Sequence, residues 1–132
     1  MIMNESGIHT FSLKLQCKYS EIQNIIEQNE CIRTGKGKLG LSSYYQMPQY
    51  KPIGVEIQLG QSVSHPCWLI LIVNPSSLLA GTYELEKRHH IVIDDHILRL
   101  ELRFGRSKIT KLTKSKDWES QLVELGSQIE KQ

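Results

Sequence analysis

The sequence predicts an α+β domain, a mostly antiparallel sheet of about five or six strands with a helix near each end packed on one face. Three observations lead there. Runs of alternating apolar and polar residues cluster along the middle of the chain instead of taking turns with helical patterns. Helix-spaced apolar stripes lie near the two ends, at 20–28 and 116–131. Cys67–Val73, finally, is apolar without a break and carries Ile70, Ile72 and Val73. That is the pattern of a strand with both faces covered, so it belongs at the centre of the sheet.

Composition sets the frame. A chain of 132 residues fits one domain, 1–132, large enough to bury a core without metal or disulfide staples. Hydrophobic residues at 39% and charged residues at 23% belong to an ordered globular domain, not a disordered one. No apolar run approaches the roughly 20 residues of a membrane-spanning helix. The polar start, Met1 to Gly7, is expected to be a loose lead-in without the features of a signal peptide. Cys17, Cys31 and Cys67 are odd in number and lack metal-like spacing, so reduced, buried thiols in a cytoplasmic protein are expected.

Along the chain, Phe11, Leu13, Leu15 and Cys17 alternate with Ser12, Lys14 and Gln16, a half-buried strand. Ser20 with Gln23 forms a capping-box pattern opening a helix whose stripe is Ile22, Ile25 and Ile26. From Cys31 to Gly54 the periodicity loosens around glycines, tyrosines and prolines, and a hairpin or irregular excursion is expected. Val55, Ile57 and Leu59 make a second half-buried strand, and Gly60 to Pro66 reads as a turn into the central one. Asn74 can cap a helical turn begun by Pro75, which Gly81 would close in a left-handed conformation.

Tyr83 and Leu85 then alternate weakly with glutamates. Ile91–Ile93 reads as a short strand and Asp94–His96 as a turn. Leu98, Leu100, Leu102 and Phe104 alternate with Arg99, Glu101 and Arg103 in a third amphipathic strand. Residues 105–115 read as a basic connector. Ser115 can cap a last helix, 116–131, in which Trp118, Leu122, Leu125 and Ile129 form one stripe.

Catalytic motifs fail in turn. Gly35 to Gly40 resembles a phosphate loop, but Leu41 stands where Lys and Ser or Thr are needed to reach phosphate and magnesium. His89, His90, Asp94, Asp95 and His96 crowd together, yet a strand spacing puts His90 and Asp94 too far apart for one ion. His65 stands two residues from Cys67 and could reach its thiol, although a buried structural cysteine is the plainer reading. The expectation is therefore no enzyme, no catalytic residue, no metal and no cofactor.

The charge distribution is more informative than the net +2. Between Arg103 and Lys116 the chain carries six basic residues and no acidic one, which leaves the rest net acidic. Such a row releases counterions from a phosphate backbone, and tyrosines can stack on bases. The candidate binding residues, for nucleic acid or another partner, are Lys36, Lys38, Tyr44, Tyr45, Arg103, Arg106, Lys108 and Lys111. The plainer alternative is a solvated segment that keeps the protein soluble.

One stretch resembles a known group. A strand, Gly54–Leu59, a turn, and a second strand ending in Val73-Asn74-Pro75-Ser76-Ser77-Leu78-Leu79 is similar to the N-terminal region of replication-associated proteins of Gram-positive phages and plasmids. The similarity covers about thirty residues, and strand-Asn-Pro-helix is also a general cap. It implies an origin on a mobile genetic element and a DNA-related role, and carries over no catalytic residue. The expected function is a small non-enzymatic nucleic-acid-associated protein that binds phosphates through its basic segment. The alternative is a protein-binding inhibitor or adaptor, for example an anti-defence protein, docking on a larger partner.

Overall fold

A computed structural model of the chain describes residues 8–36, 42–104, 107–113 and 116–130. In order these are β1 (Ile8–Cys17), α1 (Tyr19–Gln28), β2 (Ile32–Lys36), β3 (Ser42–Gln46), a 3₁₀ turn (Pro48–Ile53), β4 (Val55–Ser62), β5 (Cys67–Val73), a second 3₁₀ turn (Pro75–Ser77), α2 (Leu78–Tyr83), a π turn (Glu84–Arg88), α3 (Ile93–His96), β6 (Ile97–Phe104), β7 (Ser107–Leu112) and α4 (Trp118–Glu130). The strands form one seven-stranded antiparallel sheet in the order β2-β3-β4-β5-β1-β6-β7. The fold is α+β, with slightly more strands than the sequence predicts.

Cys67–Val73 is the fourth strand of seven, the centre of the sheet, but only one of its faces is fully covered. Cys67, Leu69, Leu71 and Val73 are buried, whereas Trp68, Ile70 and Ile72 are half-buried. Every helix packs on the first face. Ile22 and Ile25 of α1, Leu85, Ile93 and the α4 stripe of Trp118, Leu122 and Leu125 join Leu13, Leu15, Ile57, Leu59, Leu69, Leu71, Leu100 and Leu102 in a single core. Full burial of each such side chain contributes about 1.5–3 kcal/mol, so this face holds the domain together. Among the described residues no helix lies on the other.

Local chemistry explains where the elements start and stop. Asn74 caps as expected, its Oδ1 accepting from Ser77 N at 3.0 Å, with Pro75 at the first helical position. Gly81 does not end the turn. It sits inside α2, where a Cβ would lie 2.8 Å from Val73 Cγ1 and 3.0 Å from Leu71 Cδ1. Glycine here serves close packing of helix on strand, and the chain continues through the π turn. The Tyr83–Leu85 alternation is therefore helical, with Leu85 buried and Tyr83 exposed.

Helix α1 begins earlier than Ser20. Lys18 is its N-cap, and the Lys18 backbone N–H donates to Glu21 Oε1 at 2.8 Å, so Glu21 and not Gln23 closes the first turn. Ile91 and Ile93 are buried anchors flanking an irregular segment, not a strand, and Asp94–His96 lies in the short α3. In β6 the core residue is Ile97 instead of Leu98, because a bulge against β1 skips Leu98 in the register.

On the flanks, one expectation holds and one is corrected. The excursion after Cys31 is a hairpin, β2 with β3, followed by the 3₁₀ turn whose φ of +74° at Gly54 suits glycine. The basic connector is largely a strand: β7 pairs with β6 from Phe104↔Ser107 to Arg99↔Leu112. Edge strands tolerate lysines that an interior strand would not, which is why charge density masked the strand period. The proposed Ser115 cap lies outside the described residues.

Candidate nucleic-acid interface

The uncovered face of the sheet is built by strand alternation, and its residues can be read across the strands by register. The row at one end is Tyr44, Gly60, Trp68 and Gln16. The next is Gln46, Gln58, Ile70, Lys14 and Arg99. Then come Glu56, Ile72, Ser12, Glu101 and Thr110, and at the far end Thr10, Arg103 and Lys108. Apolar groups occupy the middle of this face, aromatic groups one corner, and cations the side formed by β1, β6 and β7.

The aromatic corner depends on Gly60. A Cβ there would stand 2.1 Å from Trp68 Cε2, so the indole lies across the bare glycine backbone. It reaches Tyr44 from two strands away, with ring centroids 6.0 Å apart and planes 28° from parallel. Lys14 Nζ stands over the indole, 5.8 Å from its centroid. Beside the two rings is an open cavity of about 290 Å³ edged by Ser42, Ser62, His65 and Pro66. That volume is at the small end of ligand sites, room for a planar ring system and little more.

On the cationic side, Glu101 organises its neighbours. Arg103 Nε lies 2.9 Å from Glu101 Oε1 and Lys108 Nζ 3.9 Å from Oε2, with the two cations more than half exposed and the carboxylate buried beneath them. Two positive groups share one negative partner, so the trio keeps a net positive charge. Arg99 and Lys14 are opposite one another in the register, and among the described residues neither enters an ion pair.

A second cluster lies under the helices. Tyr50 donates its hydroxyl hydrogen to Glu84 Oε2 at 3.1 Å, and Glu84 also takes Arg88 at 2.8 Å. His89 Nε2, 2.7 Å from the same hydroxyl, must then be the donor to it, which leaves Nδ1 to face Asn29 Nδ2 at 3.5 Å. Burial pulls His89 below the ordinary histidine value and pushes Tyr50 up to about 12, the Glu84 carboxylate adding to the latter. Both ring nitrogens of His89 are thus engaged and its ring is neutral. The π turn and the left-handed His90 (φ +58°) shape the backbone around this chain of bonds. This chain of bonds cross-links the 3₁₀ turn, the π turn and the end of α1.

The other sequence-derived candidates disperse. His96 bonds Glu21 at 2.8 Å and Val92 O at 2.6 Å, away from His89. Exposed His65 bonds Ser64 Oγ at 2.9 Å, while the buried Cys67 thiol faces the Ser62 backbone, so these two do not pair. The Cys17 thiol, opposite Cys67 in the register, is pushed up to about 12 by burial first, then by Glu21 and Cys67.

Of the candidate binding residues, Tyr44, Arg103 and Lys108 lie on the uncovered face, and only Arg103 and Lys108 are neighbours: Tyr44 stands at the opposite corner, about 30 Å from them at the usual strand spacing. Tyr45 and Lys111 do not: their register partners are Leu59 and Leu100, on the helix side. Lys36 ends β2, at the opposite edge of the sheet from β7, about 30 Å away at the usual strand spacing. It cannot share a phosphate with Lys108. Lys38 and Arg106 lie outside the described residues. Sequence reasoning missed Trp68, Lys14 and Arg99, although a glycine inside the period of β4 was a signal that something lies flat against that strand.

Comparison with known families, curated proteins and solved structures returns no match. What the surface can do rests on its own chemistry.

Proposed function

We propose that this is a small non-enzymatic nucleic-acid-associated protein, of mobile-element origin, that binds phosphates on the uncovered face of its sheet. The observation that carries this reading is the projection of two cation pairs, Lys14 with Arg99 and Arg103 with Lys108, about 14 Å apart along β6, from one face that no helix of the described residues covers. Cations spread over a flat surface fit a row of phosphates better than a single small anion, which would need them to converge. Three free thiols, two of them buried, suit a reducing cytoplasmic setting. Among the described residues no helix is long and apolar enough to cross a membrane.

The test is a salt titration of binding to mixed-sequence DNA, single-stranded and duplex, between about 50 and 200 mM salt. Affinity should fall log-linearly with salt. Replacing Arg99, Arg103 and Lys108 together by Gln should flatten the slope by about 2, near 0.7 for each lost contact to a single strand. No retention of either DNA at the low end of that range sinks the reading.

A second reading, the protein-binding inhibitor or adaptor, draws on Ile70 and Ile72, which put apolar area at the middle of the same face, and on the exposed outer strand β2 with Ile32 uncovered. Sheet edges and half-open apolar faces are surfaces to which proteins dock. Salt-independent capture of a protein partner, blocked by Ile70→Glu, would support it over the first.

A further inference from the structure

We infer that the occupant of the uncovered face is single-stranded, and that the Trp68–Tyr44 pair is the platform on which an unpaired base stacks. This rests on the nucleic-acid reading above and narrows it. In a duplex the flat faces of the bases are turned toward one another, so a protein meets them only as edges in the grooves. Aromatic rings lying along a flat surface therefore match a strand whose bases are free, not a double helix.

Four features combine. Gly60 leaves the space in which the indole lies down, so Trp68 offers a ring face where a larger residue at 60 would tip it upright. Tyr44 extends that surface with a near-parallel ring. The cavity of about 290 Å³ beside them is edged by Ser42 and His65, whose hydroxyl and imidazole groups are of the kind that bond a base edge. The Lys14 ammonium stands over the indole, where it can exchange its contact with the ring for one with the phosphate next to a stacked base. From the register, Arg99 lies about 12 Å and Arg103 about 22 Å from Trp68, using about 4.8 Å between strands and about 3.4 Å per residue along them. The cations thus lead away from the platform on one side, as a backbone leaving a stacked base would.

Fluorescence-anisotropy titrations with a mixed-sequence single strand and the same sequence as duplex, on wild-type protein, Trp68→Ala, Trp68→Phe and the Arg99/Arg103/Lys108→Gln variant, test this. The expected result is tighter binding of the single strand than of the duplex. Trp68→Ala should lose about ten- to a hundredfold for the single strand with an unchanged salt slope, while Trp68→Phe retains most of the affinity. Equal binding of both DNAs, salt-sensitive but indifferent to Trp68, overturns the platform and leaves phosphate binding standing. Binding of neither overturns both. Should Trp68→Ala not fold, quenching of wild-type tryptophan fluorescence decides: Trp118 is buried in the core, so quenching by the single strand and not by duplex supports the platform, and its absence at saturation overturns it.

Discussion

The two faces of β5 divide the molecule's labour along a single seven-residue run. Toward the helices, Leu69 and Leu71 are fully buried and Val73 nearly so. Toward solvent, Trp68, Ile70 and Ile72 are half-buried and ringed by Lys14, Gln16, Gln58 and Arg99. Burial on the helix side accounts for the first set. It does not account for the second, since an antiparallel sheet can leave one face polar and wet without losing its fold. Apolar side chains that the helix-side core does not account for, gathered beside cations, are where a binding surface is best sought.

The contrast can be broken directly. Leu71→Ala should cost about 3–5 kcal/mol, because it opens a cavity between β5 and the glycine of α2 that abuts it. Ile70→Ala, one residue away, should cost about 1–2 kcal/mol, since part of the side chain already meets water and little cavity forms. Urea denaturation measures both. Equal losses would mean that the second face is also packed against something, and the division between the faces would fall.

The helix side is also where pH should act. His89 is held neutral by burial, its folded-state pKa below the ordinary 6.5. The unfolded chain therefore takes up a proton first as pH drops, and stability contributed by the neutral ring is lost as pH falls from 6.5 through the folded value. Tyr50, Glu84, Arg88, Asn29 and His90 are the groups around it, Glu84 working against the downward shift and Arg88 and His90 with it. Comparing wild type with His89→Gln isolates the His89 part. The variant should be less stable by about 1–3 kcal/mol above neutrality through the lost bond to Tyr50. The gap should narrow as pH falls below 6.5. A gap that widens in acid would mean the ring is charged in the fold.

Gly60 joins the two faces of the comparison from the other direction. Gly60→Ala places a methyl where the indole lies, 2.1 Å from its nearest carbon. The indole is free to swing outward on the open side, so stability should change by no more than about 1 kcal/mol, the strand's gain from losing glycine offsetting the contact. The Trp68 near-ultraviolet dichroism should nevertheless collapse and single-strand affinity drop with it. A large loss of stability would show instead that the indole is locked by packing and serves the core.

How much of this could be read from residues alone follows from the same contrast. The central position of Cys67–Val73, the α+β class, the β1 and β4 alternations and the α4 stripe were all visible, because each depends on burial toward one large core. The open side of β5 was not. Trp68, Ile70 and Ile72 are as apolar as their neighbours, and in the middle of a wide sheet flanking side chains half-cover whatever stands there. β7 was hidden because lysines at 108 and 111 point to opposite faces, erasing the period. The π turn was hidden because Tyr83 and Leu85 sit two apart, and exposed Tyr83 looks as apolar in sequence as buried Leu85. Part of the candidate surface was legible, Tyr44, Arg103 and Lys108, while the residues that give it shape, Trp68 and Gly60, read as core and turn.

The smallest expected change has a sign that ordinary disruption cannot imitate. Glu101 is buried beneath Arg103 and Lys108 and holds both. If the face binds phosphates, Glu101 competes for those cations, and Glu101→Gln should tighten nucleic-acid binding, on the order of fivefold or about 1 kcal/mol at low salt, while steepening the salt dependence. Stability should fall by no more than about 1 kcal/mol, because both cationic partners are largely exposed and the amide can still accept from Arg103. If the cations exist only to satisfy Glu101, the same substitution weakens the fold and leaves any DNA binding where it was. Most substitutions reduce both properties together. This one separates them, because the carboxylate would stabilise the sheet at the expense of the surface it supports.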